Sequence, residues 1–272
     1  MPPTAAAGDF SWCQLSSSWD TSAAGTYGNK SANLMRLVTN GFRVPPGVCL
    51  SSASHAAEPV IRAELVEALS QIPSPWAVRS SSLTEDTHRR AFPGIYNTVL
   101  GVKSLEGAIG ALRRVGSAPD AEVLRAYSPG DATPIRIPAL IQTIFDPRAA
   151  GVLFTSNPIS LSDSLLINAC WGLGAPVVNG TVTPDQFEVD RTGTVLSSLI
   201  AIKNTAVDSF GNSLDLPSSQ SRAPCLSPRE LASLSQIAIK VERLMKAPQD
   251  IEWMQDQRGL FWLVQTRPIT TL

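Results

Sequence analysis

The chain has almost no net charge, no dense set of cysteines and no long apolar run, and each shortfall removes a class of function. Lys and Arg number 22 against 23 Asp and Glu, so the polybasic footprint that drives binding to a nucleic-acid backbone is missing. Nucleic acid is therefore not an expected partner. The four cysteines, Cys13, Cys49, Cys170 and Cys225, lie far apart and form no CxxC pair. That argues against structural zinc or a disulfide framework, and fits reduced thiols in a cytoplasmic protein. The first residues, MPPTAAAGDF, lack a basic start followed by an apolar stretch. No later apolar run approaches the roughly 20 residues of a membrane span. A soluble protein with no membrane partner is expected. No repeat or low-complexity block stands out, apart from a Ser-, Pro- and Asn-rich stretch, Val207 to Pro228, expected to be a surface loop.

What is present is apolar residue in quantity: 43% of 272 residues, enough for one large domain or two lobes. Leu34, Met35, Leu37 and Val38 recur at helical spacing after Lys30, and Gly41, Pro45 and Pro46 stop that helix. Short β-type runs follow at 76–80, 139–145, 151–155, 165–169 and 187–189, with helical patterns at 105–115 and 121–127. Ser227, Pro228 and Glu230 form a capping box that opens a helix with Leu231, Leu234, Ile237, Ala238, Val241 and Leu244 on one face. Two strands, 251–254 and 260–264, flank the polar turn Gln255 to Gly259, which brings Glu252 close to Gln265. The pattern is α+β.

Several residues suit phosphoryl transfer from ATP, which needs cations against the triphosphate and hard oxygen ligands for magnesium. Lys30 follows Gly25 and Gly28 at the start of a helix, where an ammonium and a helix N-terminus together meet phosphate. A solvated lysine is the ordinary alternative. Arg79 interrupts the apolar strand WAVRS and needs an anionic partner: either a ligand, or Glu85 or Asp86. In FPGIYNTVL, Gly94 permits close backbone approach and Thr98 offers a hydroxyl, although a turn into an edge strand explains both. Asp250 and Glu252 share one strand face. Magnesium would relieve their repulsion, with Gln265 adding a neutral oxygen, unless both carboxylates simply face water. Arg267 points to the same face and suits a phosphate.

In chain order, GNKSANLMRLVTNGFRVPPGVCLS, WAVRSSSLTEDTHRRAFPGIYNTVLGV, GVLFTSNP, WGLGAPVVNGTVTPDQFEVDR and DIEWMQDQRGLFWLVQTRPIT resemble the nucleotide-binding domain of the phosphoenolpyruvate synthase, pyruvate phosphate dikinase and rifampin phosphotransferase family. The resemblance implies an ATP-grasp fold, two lobes clamping ATP, expected at residues 1–134 and 135–272. It implies Lys30 and Arg79 on phosphate, Gly94 and Thr98 in a phosphate-covering loop, Gln142 near adenine, Glu252 and Gln265 on magnesium, and Arg267 beside them. The chain departs from the family at Asn168 and Ala175, where glutamate is usual, and its Glu252–Gln265 turn is one residue longer.

The resemblance implies an ATP- and Mg2+-dependent phosphotransferase acting on a small-molecule acceptor: a hydroxyl, an amine or an amide. The family's phosphohistidine motif is not found, and His55 and His88 lie in no such motif. The chain is expected to stand alone, transferring phosphate directly and using Arg79, Arg267 and Lys30 to neutralise transition-state charge. Three alternatives stay open: transfer in trans to a separate phosphohistidine domain, a module that binds ATP without catalysis, and a fragment of a longer enzyme. His88 is a candidate base.

Overall fold

The computed structural model of the protein describes residues 11–16, 24–51, 59–81, 98–116, 137–160 and 162–269. The chain divides into two compact units, Met1–Gly41 with Pro45–Ile144, and Phe42–Val44 with Phe145–Leu272. Both are mixed α and β, as the hydropathy pattern implies. No helix among the described residues is long and apolar enough to cross a membrane.

The first unit comprises β1 (Trp12–Gln14), α1 (Ala24–Thr39), β2 (Gly47–Leu50), α2 (Pro59–Ser70), β3 (Trp76–Ser80), β4 (Thr98–Val102), α3 (Leu105–Gly116) and β5 (Ala139–Thr143). Its five strands form an antiparallel sheet in the order β1-β2-β5-β3-β4. Alternation along the strands sends Val48, Leu50, Val78 and Ile141 into a core shared with Leu65 of α2 and Leu112 of α3. The indole of Trp76 joins this core and donates to Ile72 O at 3.2 Å. α1 is not one continuous helix. Gly28 breaks it with φ 80° and ψ 165°, so the regular helix starts immediately before Lys30. The helical pattern at 121–127 lies outside the described residues.

The second unit holds β6 (Ala149–Phe154), β7 (Leu165–Trp171), α4 (Ala175–Val178), β8 (Asp185–Val189), β9 (Val195–Leu199), β10 (Thr205–Val207), β11 (Ser213–Asp215), α5 (Ser218–Ser221), α6 (Pro228–Met245), β12 (Gln249–Gln255) and β13 (Phe261–Pro268). Six strands form an antiparallel sheet ordered β13-β12-β6-β7-β8-β9. One face is apolar: Ile251, Leu153, Ile167 and Phe187 lie in one register row and are at most 3% exposed. α6 covers that face, with Leu231, Leu234, Ala238 and Val241 buried and Gln255 Nε2 donating to Glu230 at 2.9 Å. The capping box expected at Ser227 and Glu230 is formed.

Three hairpins use one turn, written in the sequence as D-x-x-G-x. Asp190, Asp208 and Asp256 each accept backbone N–H groups two and four residues ahead at 2.8–2.9 Å. Gly193, Gly211 and Gly259 each take the positive φ that the fourth position requires. The second of these turns corrects the surface loop expected over 207–228. The segment contains β11 and α5, but every residue of β11 is exposed, so no apolar alternation announces the strand.

Candidate functional site

In the first unit the candidate residues gather on the sheet face opposite the α2–α3 core. Arg79 and Thr98 are direct cross-strand partners on β3 and β4. They therefore emerge side by side. Lys30 comes to the same strand end: it is 7% exposed and its Nζ donates to Ser80 O at 3.2 Å. Two serines fix this approach. Ser31 N–H donates to Ser81 Oγ at 3.1 Å, and the two hydroxyls also meet at 3.1 Å, so a side chain from the strand end caps the first turn of the helix. Gly28 makes the approach possible, because a Cβ there would stand 1.4 Å from Ser81 O. Gln142, two register positions from Arg79 on β5, is 2% exposed and donates through Nε2 to Pro45 O at 3.2 Å. Gly94, His55 and His88 lie outside the described residues.

In the second unit the other candidates meet on the face of the six-stranded sheet opposite α6. Glu252 on β12 stands directly opposite Gln265 on β13, and Asp250 stands opposite Arg267. A β-bulge decides this. The ladder pairs Trp253 with Leu263, skips Val264, and resumes at Glu252 and Gln265. The extra residue on β13 forms the bulge, and beyond it the two oxygen donors stand in register. Arg267 donates from Nε and Nη2 to Oδ2 of Asp250, each at 2.8 Å. Burial holds the Asp250 carboxyl above its usual value; Arg267 acts in the opposite direction and the nearby charge of Glu252 pushes it further up.

The register continues across the sheet. Glu252 pairs with Val152, Val152 with Asn168, and Asn168 with Gln186. Asn168, at first sight only a departure from a family pattern, thus lies on the same face as Glu252, two strands away, or about 10 Å at the usual interstrand spacing. Sequence spacing alone carries no signal for this neighbour, since it comes from the order of strands in the sheet. Ala175 opens the short helix α4 and is half-buried.

The chemistry of the second cluster suits a hard divalent cation. It offers one carboxylate and one amide oxygen at a single register position, a donor set that magnesium completes with waters and phosphate oxygens. Among the described residues no group of three or more His, Cys, Asp or Glu side chains could hold a metal by itself. A cation here would need the phosphates as partners. Elsewhere in this unit, Lys203 and Asp185 form an ion pair with both side chains 0% exposed. Asp185 also accepts N–H groups from Ala201 at 3.0 Å and Cys225 at 2.8 Å, a fully satisfied structural pair with no open side for a ligand.

A family model described as the AMP/ATP-binding domain of pyruvate phosphate dikinase matches residues 54–272. The chain is 35% identical over 205 residues to a probable phosphoenolpyruvate synthase from Methanocaldococcus jannaschii, covering 72% of this chain and 17% of that protein. It is 31% identical over 283 residues to the prodigiosin synthesizing transferase PigC of Serratia marcescens, covering 90% of this chain and 31% of that protein. It is 31% identical over 205 residues to the rifampicin phosphotransferase of Bacillus subtilis, covering 72% and 23%. The chain thus spans less than a third of the length of each of these relatives.

Proposed function

The chain belongs to the family of pyruvate phosphate dikinase AMP/ATP-binding domains, and from that premise we propose that it moves a phosphoryl group from magnesium-ATP to a small-molecule nucleophile. The observation that carries this reading is the register of β12 and β13, which sets Glu252 against Gln265 with Arg267 two residues along on the same face. We read the two units as the lobes of the ATP-grasp fold that the resemblance implies. Lys30, Arg79 and Thr98, with Gly94, serve the phosphates; Gln142 serves the adenine end through the amide atom not engaged with Pro45. Glu252 and Gln265 hold magnesium, which when bound neutralises and bridges phosphate oxygens. Arg267 keeps one edge of its guanidinium on Asp250 and turns its exposed side to the phosphate. The four free thiols accord with a cytoplasmic location.

Phosphorus NMR of the protein with magnesium-ATP, with and without candidate hydroxyl, amine and amide acceptors, tests the reading. ADP and a phosphorylated acceptor are expected; AMP with inorganic phosphate would instead point to a dikinase reaction. Glu252→Ala should abolish turnover, because magnesium would lose its carboxylate ligand, whereas losing one charge stabiliser such as Arg79 should slow turnover by about a hundred- to a thousandfold. Normal turnover by Glu252→Ala would overturn the metal assignment, and calorimetry showing no ATP binding to the native chain would overturn the whole reading.

A second reading is favoured by the relatives named phosphoenolpyruvate synthase and by the small share of them that the chain spans. The phosphate would pass to a histidine on a separate domain. An acid-labile phosphoprotein should then appear only when such a domain is added.

A further inference from the structure

Cys13 on β1 and Cys49 on β2 are direct cross-strand partners. Two residues to either side, Leu15 N–H donates to Gly47 O at 2.8 Å and Ser51 N–H donates to Ser11 O at 2.9 Å. The cysteines therefore occupy a hydrogen-bonded position of the ladder, where opposed Cα atoms lie about 5.5 Å apart. That separation falls inside the roughly 4.4–6.8 Å Cα window of a disulfide, and closing the bond draws the Cβ atoms together by about 1 Å, a local shift of β1 against β2. The Cys13 side chain adds to the burial that keeps the Cys49 thiol protonated, as expected of directly opposed neighbours. They differ in access: Cys13 is half-buried at the sheet edge, whereas Cys49 is fully buried. Neither thiol has a place in the ATP chemistry.

Their surroundings lead to the phosphate-facing helix. The Ser31 side chain, on the helix that packs on β2, acts on the Cys49 thiol in the opposite direction and lowers its pKa slightly. Ser31 follows Lys30 in the chain and is tied to Ser81, the residue that caps this helix start. Tyr27, one turn earlier, donates to Ser11 Oγ at 3.1 Å on the same edge strand. A shift of Cys49 Sγ therefore reaches Ser31, and with it the anchor beside Lys30.

We propose that Cys13 and Cys49 are a reversible redox modification site, whose disulfide ties β1 to β2 and loosens the seating of Lys30 through Ser31. Its effect on ATP rests on the function proposed above; the disulfide itself does not. The oxidant is a low-molecular-weight disulfide of the glutathione type. Cys13 attacks it, forms a mixed disulfide and releases one thiol. Cys49 then attacks the Cys13 sulfur, forms the Cys13–Cys49 bond and expels the second thiol, its own proton going to that leaving group. Burial pushes the Cys49 thiol well above its usual range, which makes the second step the slower one. Cys170 and Cys225, both buried, share no such register.

The test uses the full chain equilibrated in glutathione buffers of graded oxidation, trapped by alkylation and mapped by peptide mass spectrometry, with calorimetric ATP titrations of the reduced and oxidised forms. A Cys13–Cys49 linked peptide should appear, disappear on reduction, and be replaced in Cys49→Ser by a protein stopped at the Cys13 mixed disulfide. ATP affinity should fall severalfold on oxidation of the native chain and stay constant in Cys13→Ser. Failure to form the linked peptide under strongly oxidising buffer, or a stable mixed disulfide in the native chain, overturns the site. A mapped disulfide with unchanged affinity in a protein that binds ATP overturns the coupling to Lys30. Absence of ATP binding in both redox states overturns the proposed function instead, and leaves the peptide map to decide the site.

Discussion

Replacing Arg267 by methionine separates what the arginine does for the fold from the phosphate contact proposed for it. Two of its nitrogens bond one oxygen of Asp250, whose side chain is 12% exposed against 42% for the arginine. Removing one partner of a fully buried pair costs about 3–5 kcal/mol, whereas a surface pair is worth about 0–1 kcal/mol, so a loss of about 2 kcal/mol is expected for this half-wet pair near neutral pH. Protonation limits the penalty. Burial already raises the Asp250 carboxyl, and Arg267 is the main influence holding it down; without the arginine it should rise further. A carboxyl whose folded value exceeds its unfolded one binds its proton more tightly in the native state. Its contribution is therefore intact below the unfolded value of about 3.9 and is lost as pH climbs through the folded value. Urea denaturation across a pH series should show Arg267→Met close to the native protein in acid and progressively weaker towards neutrality. Adding Asp250→Asn should flatten that dependence and recover most of the lost stability while leaving phosphoryl transfer defective. A double variant no more stable than Arg267→Met at neutral pH would refute the reasoning, because the destabilisation would then not arise from an abandoned carboxylate.

Two further outcomes test the supports of the site. Gly28→Ala should cost several kcal/mol, at or above the roughly 1–3 kcal/mol of a forbidden backbone conformation, because its Cβ also meets Ser81 O at 1.4 Å; thermal denaturation and ATP titration read the loss together, and a variant of native stability would contradict the close approach. Deleting Val264 should regularise the β12–β13 ladder and keep Glu252 opposite Gln265, so that nucleotide-dependent Mn2+ binding, followed by electron paramagnetic resonance, survives a stability loss of about 2 kcal/mol from the missing buried side chain. Loss of Mn2+ binding in a folded deletion variant would show that the bulge itself holds the two donors in place.

Much of the local structure is legible in the residues. The helix from Pro228 follows from its capping box and its apolar face, and β3 follows from the short apolar run around Arg79, because both signals are read within a few neighbours. The D-x-x-G-x turns are equally local, yet the hairpin at Asp208 passes for a loop because its strands are three residues long and the second is fully exposed. The juxtaposition of Glu252 with Gln265 follows from a hairpin, although the count of residues between them leaves the register open.

What the sequence by itself determined is the inventory: two oxygen donors on a hairpin, a lysine after a glycine kink, an arginine in an apolar strand, and no excess charge for a nucleic-acid partner. Tertiary structure decided which of these stand together. The bulge at Val264 sets Glu252 against Gln265, the strand order brings Asn168 onto their face, the strand end carrying Ser80 and Ser81 seats Lys30, and the β1–β2 register joins two cysteines 36 positions apart. The reason is physical. Turn and cap preferences are set by a few adjacent dihedrals and hydrogen bonds, whereas strand order and register are settled only when whole sheet faces compete for burial.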